Sequence, residues 1–320
     1  MRAHLRTLLV VGLAVALLAW FLRNADLAGV WAEIAHGRLS YLALALGTTM
    51  CTYALRSLRW QYLLAGLGPT HFGNAFRATV MGFAASFLLP ARAGEFLRPY
   101  LLARHEGISA TATFATVVLE RVLDAATVLL LFAVFLLTVD PSVAGADPLM
   151  FRAVKSGGLA AAAGTAAILA VFFFLAGHPE ALGRLAGAIE RLMPQRLAGL
   201  VERLARMFAE GLSVVRQPRQ LLSVMAWSFP LWLSIALGIW LVTRAFHIEL
   251  GYIDSFVLMT ILVVGVAVPT PGSVGGYHEA YRIGATAFFH ASNDRAVGAA
   301  IVAQSGNMGV TTTGICQRRG

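Results

Sequence analysis

Apolar stretches separated by short polar segments run along the whole chain and predict membrane-spanning helices. A helix of roughly 20 apolar residues is long enough to cross the ~30 Å hydrocarbon core of a bilayer. Six stretches of this kind lie at 5–22, 39–55, 111–139, 158–176, 221–246 and, with a weaker pattern, about 296–315. A mixed stretch at 24–38 predicts a short helix at the membrane surface. The pattern therefore predicts an all-α polytopic membrane protein with about six full spans.

Two further apolar stretches, at about 74–104 and about 255–290, are interrupted by proline and glycine. Proline lacks a backbone donor and ends a helix, and glycine permits the turn that follows. Each stretch therefore predicts two short helices in a re-entrant or broken hairpin, and a plain loop between two spans is the alternative. The residues that break these helices are Pro90, Gly94, Pro269, Pro271, Gly272, Gly275 and Gly276.

The same polar pair follows the break in both stretches: Glu95 with Arg98, and Glu279 with Arg282. Interrupted hydrophobic segments at corresponding places in two halves are typical of transporters built from inverted repeats, which bind substrate near the bilayer midplane. Because three predicted spans separate the two hairpins, the hairpins would enter the membrane from opposite sides. We therefore predict an inverted repeat around a central site.

Composition excludes a soluble globular protein. The 320 residues are 58% hydrophobic and 13% charged, and the mean hydropathy is +0.73. In soluble domains roughly a quarter of the residues are charged. Since the predicted spans occupy the whole chain, we interpret residues 1–320 as a single transmembrane domain.

The net charge of +9 comes almost entirely from arginine, because Lys155 is the only lysine. In a membrane protein such an excess indicates topology and contact with anionic lipids rather than with nucleic acid. The amphipathic connection at 178–219 carries seven arginines and four glutamates. The positive-inside rule places this connection and the N-terminus in the cytoplasm. We predict a multi-pass protein of the cell membrane, plasma or inner.

Signatures of metal, redox and nucleotide chemistry are missing from the sequence. Cys51 and Cys316 give neither a disulfide framework nor a metal-binding spacing. The eight histidines show no H-E-x-x-H spacing, and no G-x-x-x-x-G-K-[ST] phosphate-binding loop is present. We expect no metal, no cofactor and no ATPase activity of the chain itself.

Three charged residues, Glu120, Arg121 and Asp124, lie inside the predicted span at 111–139. Charges at this depth cost several kcal/mol unless they are paired or hydrated, so they should face the protein interior. Glu120 and Asp124 are four residues apart and share a helix face, with Arg121 about 100° round. Two interpretations stay open: a structural ion pair, or a headgroup or coupling-ion site in which Arg121 binds an anion.

Two other polar residues in apolar surroundings also have two interpretations each. Arg77 either extends to the membrane surface or binds phosphate through bidentate hydrogen bonds. His278, next to Glu279, is either a proton switch near its usual pKa of ~6.5 or an ordinary polar packing residue.

Four motifs occur in order along nearly the whole chain: R-x-x-R-W at 56–60, L-P-A-R-A-G-E-x-x-R at 89–98, E-R-x-x-D at 120–124 and P-x-P-G-S-x-G at 269–275. Together they resemble the lysylphosphatidylglycerol synthase transmembrane region, a family of flippase-like integral membrane proteins. In its bifunctional members a separate soluble domain makes the aminoacylated lipid, and the predicted spans leave no room for that domain here.

The resemblance implies that the two hairpins meet near the middle of the membrane. The headgroup path would then be lined by Glu95, Arg98, Glu120, Arg121, Asp124 and Glu279. From their positions in the two interrupted stretches, we add Arg77 and Arg282 to the predicted path residues. The polar, glycine-rich sequence after Gln304 departs from the family, whose members usually end in a more apolar helix.

We therefore expect a non-enzymatic carrier that moves an anionic or glycosylated lipid between membrane leaflets. The alternative is a membrane partner that scaffolds a lipid- or glycan-modifying enzyme through the connection at 178–219. A third hypothesis, an intramembrane lipid-modifying enzyme, would use Glu120 and Asp124, but no recognisable catalytic spacing supports it. The sequence does not define the oligomeric state.

Overall fold

The computed structural model describes residues 19, 21–23, 25–88, 93–138, 148–177, 207, 217–267 and 275–316. Within these ranges the chain forms ten α-helices and no β-strand, which agrees with the all-α prediction. The helices are α1 (Leu27–Ala35), α2 (Leu39–Leu64), α3 (Phe72–Leu88), α4 (Gly94–Glu106), α5 (Ala110–Thr138), α6 (Pro148–Gly177), α7 (Pro218–Ala245), α8 (Ser255–Ala267), α9 (Gly276–Phe289) and α10 (Asn293–Cys316).

Helices α2 and α7 pack against each other along most of their length and form the centre of the bundle. They run antiparallel. The backbone N–H of Arg38, before α2, donates to the carbonyl of Ala245 at the end of α7 over 3.0 Å. Further along, the Thr52 and Ser234 hydroxyls are hydrogen-bonded at 2.8 Å. Because α3 follows α2 and α8 follows α7, the two helix pairs that come next begin at opposite ends of this central pair.

Helices α3 and α4 form the first hairpin, which is closed by glycine. A Cβ atom on Gly94 would lie 1.9 Å from the carbonyl oxygen of Gly82, and one on Gly82 would lie 2.6 Å from the Cβ of Arg98. Neither position has room for a side chain, so the two helix backbones approach closely here.

Helices α8 and α9 form the second hairpin with the same kind of contact. A Cβ atom on Gly265 would lie 2.5 Å from the carbonyl oxygen of Gly276 and 2.4 Å from the Cβ of Ala280. Gly275, just before α9, has a φ of +91°, in the region that favours glycine. Short helix pairs thus occur where the interrupted stretches predicted them. The prolines of both breaks and Gly272 lie outside the described residues.

Helices α5 and α10 connect the two hairpins. Helix α5 packs on α4 and also on α8 of the second hairpin, whereas α10 packs on α9 and also on α3 of the first hairpin. Helix α1 lies against α10, where Glu33 and Arg295 form an ion pair at 3.1 Å. Helix α6 packs on α5, with Gly158 against the ring of Phe132.

Two of the described helices are long and apolar enough to cross a membrane, Ala110–Thr138 and Arg219–Ala245. Length and composition alone are weak evidence for a span, and the third apolar helix, Ser255–Ala267, is shorter. The count of six full spans therefore stays a prediction. The stretch at 5–22 and the connection at 178–219 fall almost entirely outside the described residues.

One helix boundary differs clearly from the predicted one. Arg56, Arg59 and Trp60 directly follow the stretch at 39–55, and two arginines with an aromatic residue at such a place predict a membrane interface. Instead, α2 continues to Leu64 with all three side chains buried. This prediction was wrong because carboxylates inside the bundle neutralise both arginines. The weak stretch at 296–315 forms one continuous helix, α10, despite its polar composition.

Candidate functional site

Glu120 is the centre of a buried ion cluster where α2, α4 and α5 meet. Its carboxylate lies 3.0 Å from Arg56, 3.2 Å from Arg59, 3.0 Å from Arg98 and 3.3 Å from Arg121. The side chains of Glu120 and Arg59 are fully buried. A carboxylate in such surroundings is held by several charge-assisted contacts at once.

Asp124 is the second carboxylate of the cluster, one helical turn after Glu120. Its Oδ1 accepts a short hydrogen bond from Arg59 Nη1 at 2.6 Å and one from Trp232 Nε1 of α7 at 2.9 Å. Its Oδ2 has only longer contacts, 3.5 Å to Arg56 and 3.6 Å to Arg121. One oxygen is therefore tightly held and the other is loosely shared by two arginines.

Helical spacing explains how short sequence motifs build this cluster. Arg56, Arg59 and Trp60 are separated by three and four residues and share one face of α2, as Glu120 and Asp124 do on α5. The Arg98 guanidinium carbon lies 3.8 Å from the centre of the Trp60 ring, a cation–π contact. The Trp60 ring therefore supports the Arg98 guanidinium that pairs with Glu120.

The ion cluster, defined as Arg56, Arg59, Arg98, Glu120, Arg121 and Asp124, contains four arginines and two carboxylates. Several buried N–H groups have no hydrogen-bond acceptor among the described residues: Nε of Arg59, Nε and Nη2 of Arg98, and Nε of Arg121, which lines the cavity described next. Buried cations are stable only when paired, so the cluster has unused capacity for an anion.

A cavity of about 760 Å³ lies beside the ion cluster, around the central α2–α7 pair. Arg56, Arg121 and Asp124 line it, and the Arg121 side chain is 38% exposed, the most accessible of the cluster. Both hairpins reach the cavity, the first with Ser86 and Glu95 and the second with the last two turns of α8. Its volume lies within the usual ~300–1,000 Å³ of ligand sites.

Four of the eight predicted path residues come together in the ion cluster: Arg98, Glu120, Arg121 and Asp124. Glu95 lines the same cavity, and its negative charge acts on Arg121. These contacts do not test whether a lipid binds there. They place five of the predicted residues around one location.

The other three predicted residues lie elsewhere. Glu279 and Arg282 pair with each other, with Arg282 Nε 2.9 Å from Glu279, and Arg282 also donates to Asn293 at 3.3 Å. Arg77 is exposed on α3. None of the three is among the described residues that line the cavity.

The glycine contacts explain why the second Glu-x-x-Arg pair is not at the cluster. Gly94 and Gly276 have the same place in their hairpins, because each lies against a glycine of the preceding helix, Gly82 or Gly265. One turn further on, the same glycine is in contact with Arg98 in the first hairpin and with Ala280 in the second. Arg282 is therefore two residues beyond the position that matches Arg98. Two residues turn a helix by about 200°, which directs the second pair to the opposite face.

Sequence reasoning missed Arg56 and Arg59, which it assigned to a membrane interface. The signal was present in the R-x-x-R-W spacing, because residues three and four positions apart lie on one face of a helix. Such a face can point into a helix bundle as well as lie at a membrane surface. What the sequence alone does not supply is the partner, since Glu120 is 64 residues away from Arg56.

Remaining polar candidates give no second site. His278 is buried against the ring of Phe21, with ring centroids 5.2 Å apart, and its Nδ1 has no hydrogen-bond partner among the described residues. In the described part of the chain no three His, Cys, Asp or Glu side chains come together as metal ligands.

Large apolar side chains cover much of the outer surface of the bundle, for example Leu39 at 80% and Leu137 at 87% exposure. An all-helical bundle with an apolar exterior and ion pairs inside is the architecture of an α-helical membrane protein. The family model of the lysylphosphatidylglycerol synthase TM region matches residues 7–312, so the chain belongs to this family. The resemblance of the four motifs is thereby confirmed.

One relative is the UPF0104 membrane protein MJ1595 of Methanocaldococcus jannaschii, which is 34% identical over 100 residues. The match covers 30% of this chain and 30% of the relative. The chain therefore matches less than a third of that protein's length, and both are membrane proteins.

Proposed function

We propose that this protein carries a lipid with an anionic headgroup from one membrane leaflet to the other. One observation carries the proposal: a buried cluster with twice as many arginines as carboxylates borders a cavity inside a membrane protein. Even when Glu95 is counted, positive charge remains in excess. A phosphate-bearing headgroup would supply the missing anion, and the guanidinium fork suits phosphate oxygens.

Arg56 and Arg121 are the arginines that would contact the headgroup. Both line the cavity. Each contacts Glu120, but the contact of each with Oδ2 of Asp124 is long, 3.5 Å for Arg56 and 3.6 Å for Arg121. An incoming phosphate oxygen would replace this weak contact with a shorter one. Arg59 and Arg98 would hold the two carboxylates in place, because both are buried and neither lines the cavity.

An inverted repeat is the architecture that fits this role. If α2, α3, α4 and α5 correspond to α7, α8, α9 and α10, each packing contact of one half has a counterpart in the other. The contact of α5 with α8 corresponds to that of α10 with α3, and the antiparallel α2–α7 pair lies on the symmetry axis. Such an axis in the membrane plane is typical of alternating-access carriers.

The topology that we propose follows from the arginine bias. The N-terminus and the connection at 178–219 lie in the cytoplasm, six full spans cross the cell membrane, and the two hairpins enter from opposite sides. The whole chain acts as one transmembrane domain. We propose no catalytic step, because Glu120 and Asp124 are both paired with arginine and neither is an unpaired base.

Proteoliposomes test the proposal. Purified protein should accelerate the movement of a fluorescent anionic phospholipid between leaflets, measured by dithionite quenching of the outer leaflet. Arg121→Ala should lower the protein-dependent rate at least about tenfold, the effect of losing one charge-assisted contact. Arg121 suits this test because three arginines remain for two carboxylates, so the variant should fold.

Arg77→Ala is the matched control, since Arg77 is an exposed arginine outside the cavity lining. It should translocate lipid at the wild-type rate. Equal rates in wild type, Arg121→Ala and protein-free vesicles would refute the carrier and favour the scaffold for a lipid- or glycan-modifying enzyme.

A further inference from the structure

The cavity is charged on one side only. Its charged lining residues, Arg56, Glu95, Arg121 and Asp124, all come from α2, α4 and α5. The lining residues of α7, α8, α9 and α10 in the described chain carry no charge and are mostly apolar. We call this second part the apolar lobe; it is lined by Ile235, Ile239, Met259, Leu262, Val263 and Val302.

The two halves also differ in charge where each hairpin closes. Arg98 lies where the first hairpin closes on Gly82, and the residue in the same place of the second hairpin is Ala280. The apolar lobe borders the largest apolar cluster of the described bundle, which contains Leu262, Tyr277 and Ala303. Among the described lining residues of this side, no charged side chain would hold a second headgroup.

We infer that the apolar lobe holds a hydrocarbon chain of the same lipid whose anionic headgroup lies at Arg56 and Arg121. The lobe is continuous with the headgroup site, and apolar cavities take up apolar ligands rather than water. A chain loses little by leaving the bilayer, because lipid tails are as apolar as the side chains that line the lobe. The chain therefore crosses the protein together with the headgroup instead of staying in the bilayer.

The cavity also reaches the outer surface, which gives a chain a way in. Leu46 of α2 lines the cavity and is 48% exposed. The lining residues Ala267 and Ser305, at the end of α8 and in α10, are exposed as well. We place the entry of a chain from the bilayer at these exposed lining residues. This inference rests on the proposed carrier function and specifies how much of the lipid enters.

Photo-crosslinking tests the inference directly. The probe is a phosphatidic acid with a diazirine at the end of one acyl chain, added to the full chain in lipid nanodiscs, with adducts located by peptide mapping. We expect adducts on Met259, Val263 or Val302. Val263→Phe should lower their yield about tenfold by filling the lobe. The control is Val264→Phe on the same helix, which is 66% exposed and outside the cavity lining, and it should change nothing.

Two results separate this inference from the proposed function. Adducts confined to bilayer-facing residues such as Val264, in a protein whose translocation still depends on Arg121, would overturn the inference and leave the carrier standing. If Arg121→Ala changed neither the adducts nor translocation, the carrier itself would be refuted and the inference with it. A diacylglycerol with the same diazirine lacks the phosphate that Arg56 and Arg121 would hold, so it should label the lobe less than the phosphatidic acid does. Equal labelling by the two probes would overturn the inference.

Discussion

Glu120 contacts all four arginines of the ion cluster and is fully buried, so its charge stabilises more of the cluster than any single arginine does. Removing one partner of a buried ion pair leaves the other charge uncompensated in low dielectric, which typically costs ~3–5 kcal/mol. Here the loss would leave four arginines facing Asp124 alone. Under the proposed function, stability and anion binding would make opposite demands on Glu120, because a cluster with more positive charge would bind an anion better but would be less stable.

Glu120→Gln should lower the free energy of unfolding by several kcal/mol, on the order of 3–5. The melting temperature of the purified protein in detergent, followed by size-exclusion chromatography after heating, measures this loss. Glu279→Gln is the control, because that carboxylate is 30% exposed in a pair outside the cluster, and it should cost less than about 1 kcal/mol. Equal melting temperatures for Glu120→Gln and wild type would contradict the role we assign to this carboxylate.

At the scale of residues, sequence reasoning recovers the charges of the cluster but not all of its members. Glu120, Arg121 and Asp124 stand out because a charge inside an apolar stretch has a high cost. Arg56 and Arg59 follow an apolar stretch and precede Trp60, a pattern that equally indicates a membrane interface. Only the contacts between α2 and α5 decide between these interpretations, and they join residues far apart in the chain.

At the scale of elements, the first hairpin depends on the absence of a side chain at Gly94. A Cβ atom there would lie 1.9 Å from the carbonyl oxygen of Gly82 and 2.4 Å from the Ser86 backbone nitrogen. Both are backbone atoms, so the helices themselves would have to separate. The separation would also move Arg98, which is one turn along α4, away from Glu120.

Gly94→Ala should therefore destabilise the protein by at least ~1–3 kcal/mol and reduce translocation. Gly73→Ala in the same hairpin is the control: nothing lies within 4 Å of the place that a Cβ atom would take there, and alanine favours a helix by up to ~1 kcal/mol. Thermal unfolding in detergent should give shifts of opposite sign for the two variants. A Gly94→Ala protein as stable as wild type would show that the hairpin is not closed at this contact.

The open end of the first hairpin is held by Glu106, the last residue of α4. Its carboxylate accepts hydrogen bonds from the His71 backbone N–H and the Asn74 amide, both at 2.9 Å. Burial alone would raise the pKa of the Glu106 carboxyl, but the hydrogen bonds from His71 and Asn74 outweigh it and hold the pKa below its usual value of 4.5. The ionised carboxylate therefore stabilises the hairpin.

The sign of the pH effect follows from this lowered pKa. A carboxyl group whose pKa is lower in the folded state stabilises the fold above its unfolded pKa, and that stability is lost as pH falls through the folded pKa. Glu106→Gln should thus melt below wild type at neutral pH. The gap should close as the pH falls below 4.5, the usual pKa of the group. Thermal unfolding of both proteins across this range measures the gap, and a gap independent of pH would exclude ionisation of Glu106 as its cause.

Proline and glycine in the sequence were sufficient to predict two hairpins, because each of these residues acts locally on the backbone. The register between the hairpins was not predictable in the same way. The repeated Glu-x-x-Arg suggested that Arg98 corresponds to Arg282, whereas the packing of Gly94 and Gly276 matches Arg98 with Ala280. Register depends on which surfaces approach closely, and this is a property of pairs of helices rather than of one stretch.

At the scale of the whole molecule, the antiparallel α2–α7 pair determines where each hairpin opens. The Arg38–Ala245 and Thr52–Ser234 contacts place the end of α2 and the end of α7 at opposite ends of the bundle. A hairpin returns to the end from which it starts. The open ends of the two hairpins should therefore face opposite sides of the membrane, with the ion cluster and the cavity between them.

Single-cysteine labelling tests this arrangement. In a background without Cys51 and Cys316, His105→Cys reports on the open end of the first hairpin and Ser292→Cys on that of the second, since both residues are exposed. A membrane-impermeant maleimide should label Ser292→Cys in intact cells and His105→Cys only in inverted vesicles, because the arginine bias places the first hairpin's open end in the cytoplasm. Val264→Cys, exposed on an apolar helix, should react in neither preparation if that face contacts lipid.

Labelling of both positions from one side would remove the inverted repeat, and alternating access between two equivalent halves would then have no structural basis. Labelling from opposite sides would make each half of the molecule a gate for one face of the membrane, with a single headgroup site shared between them.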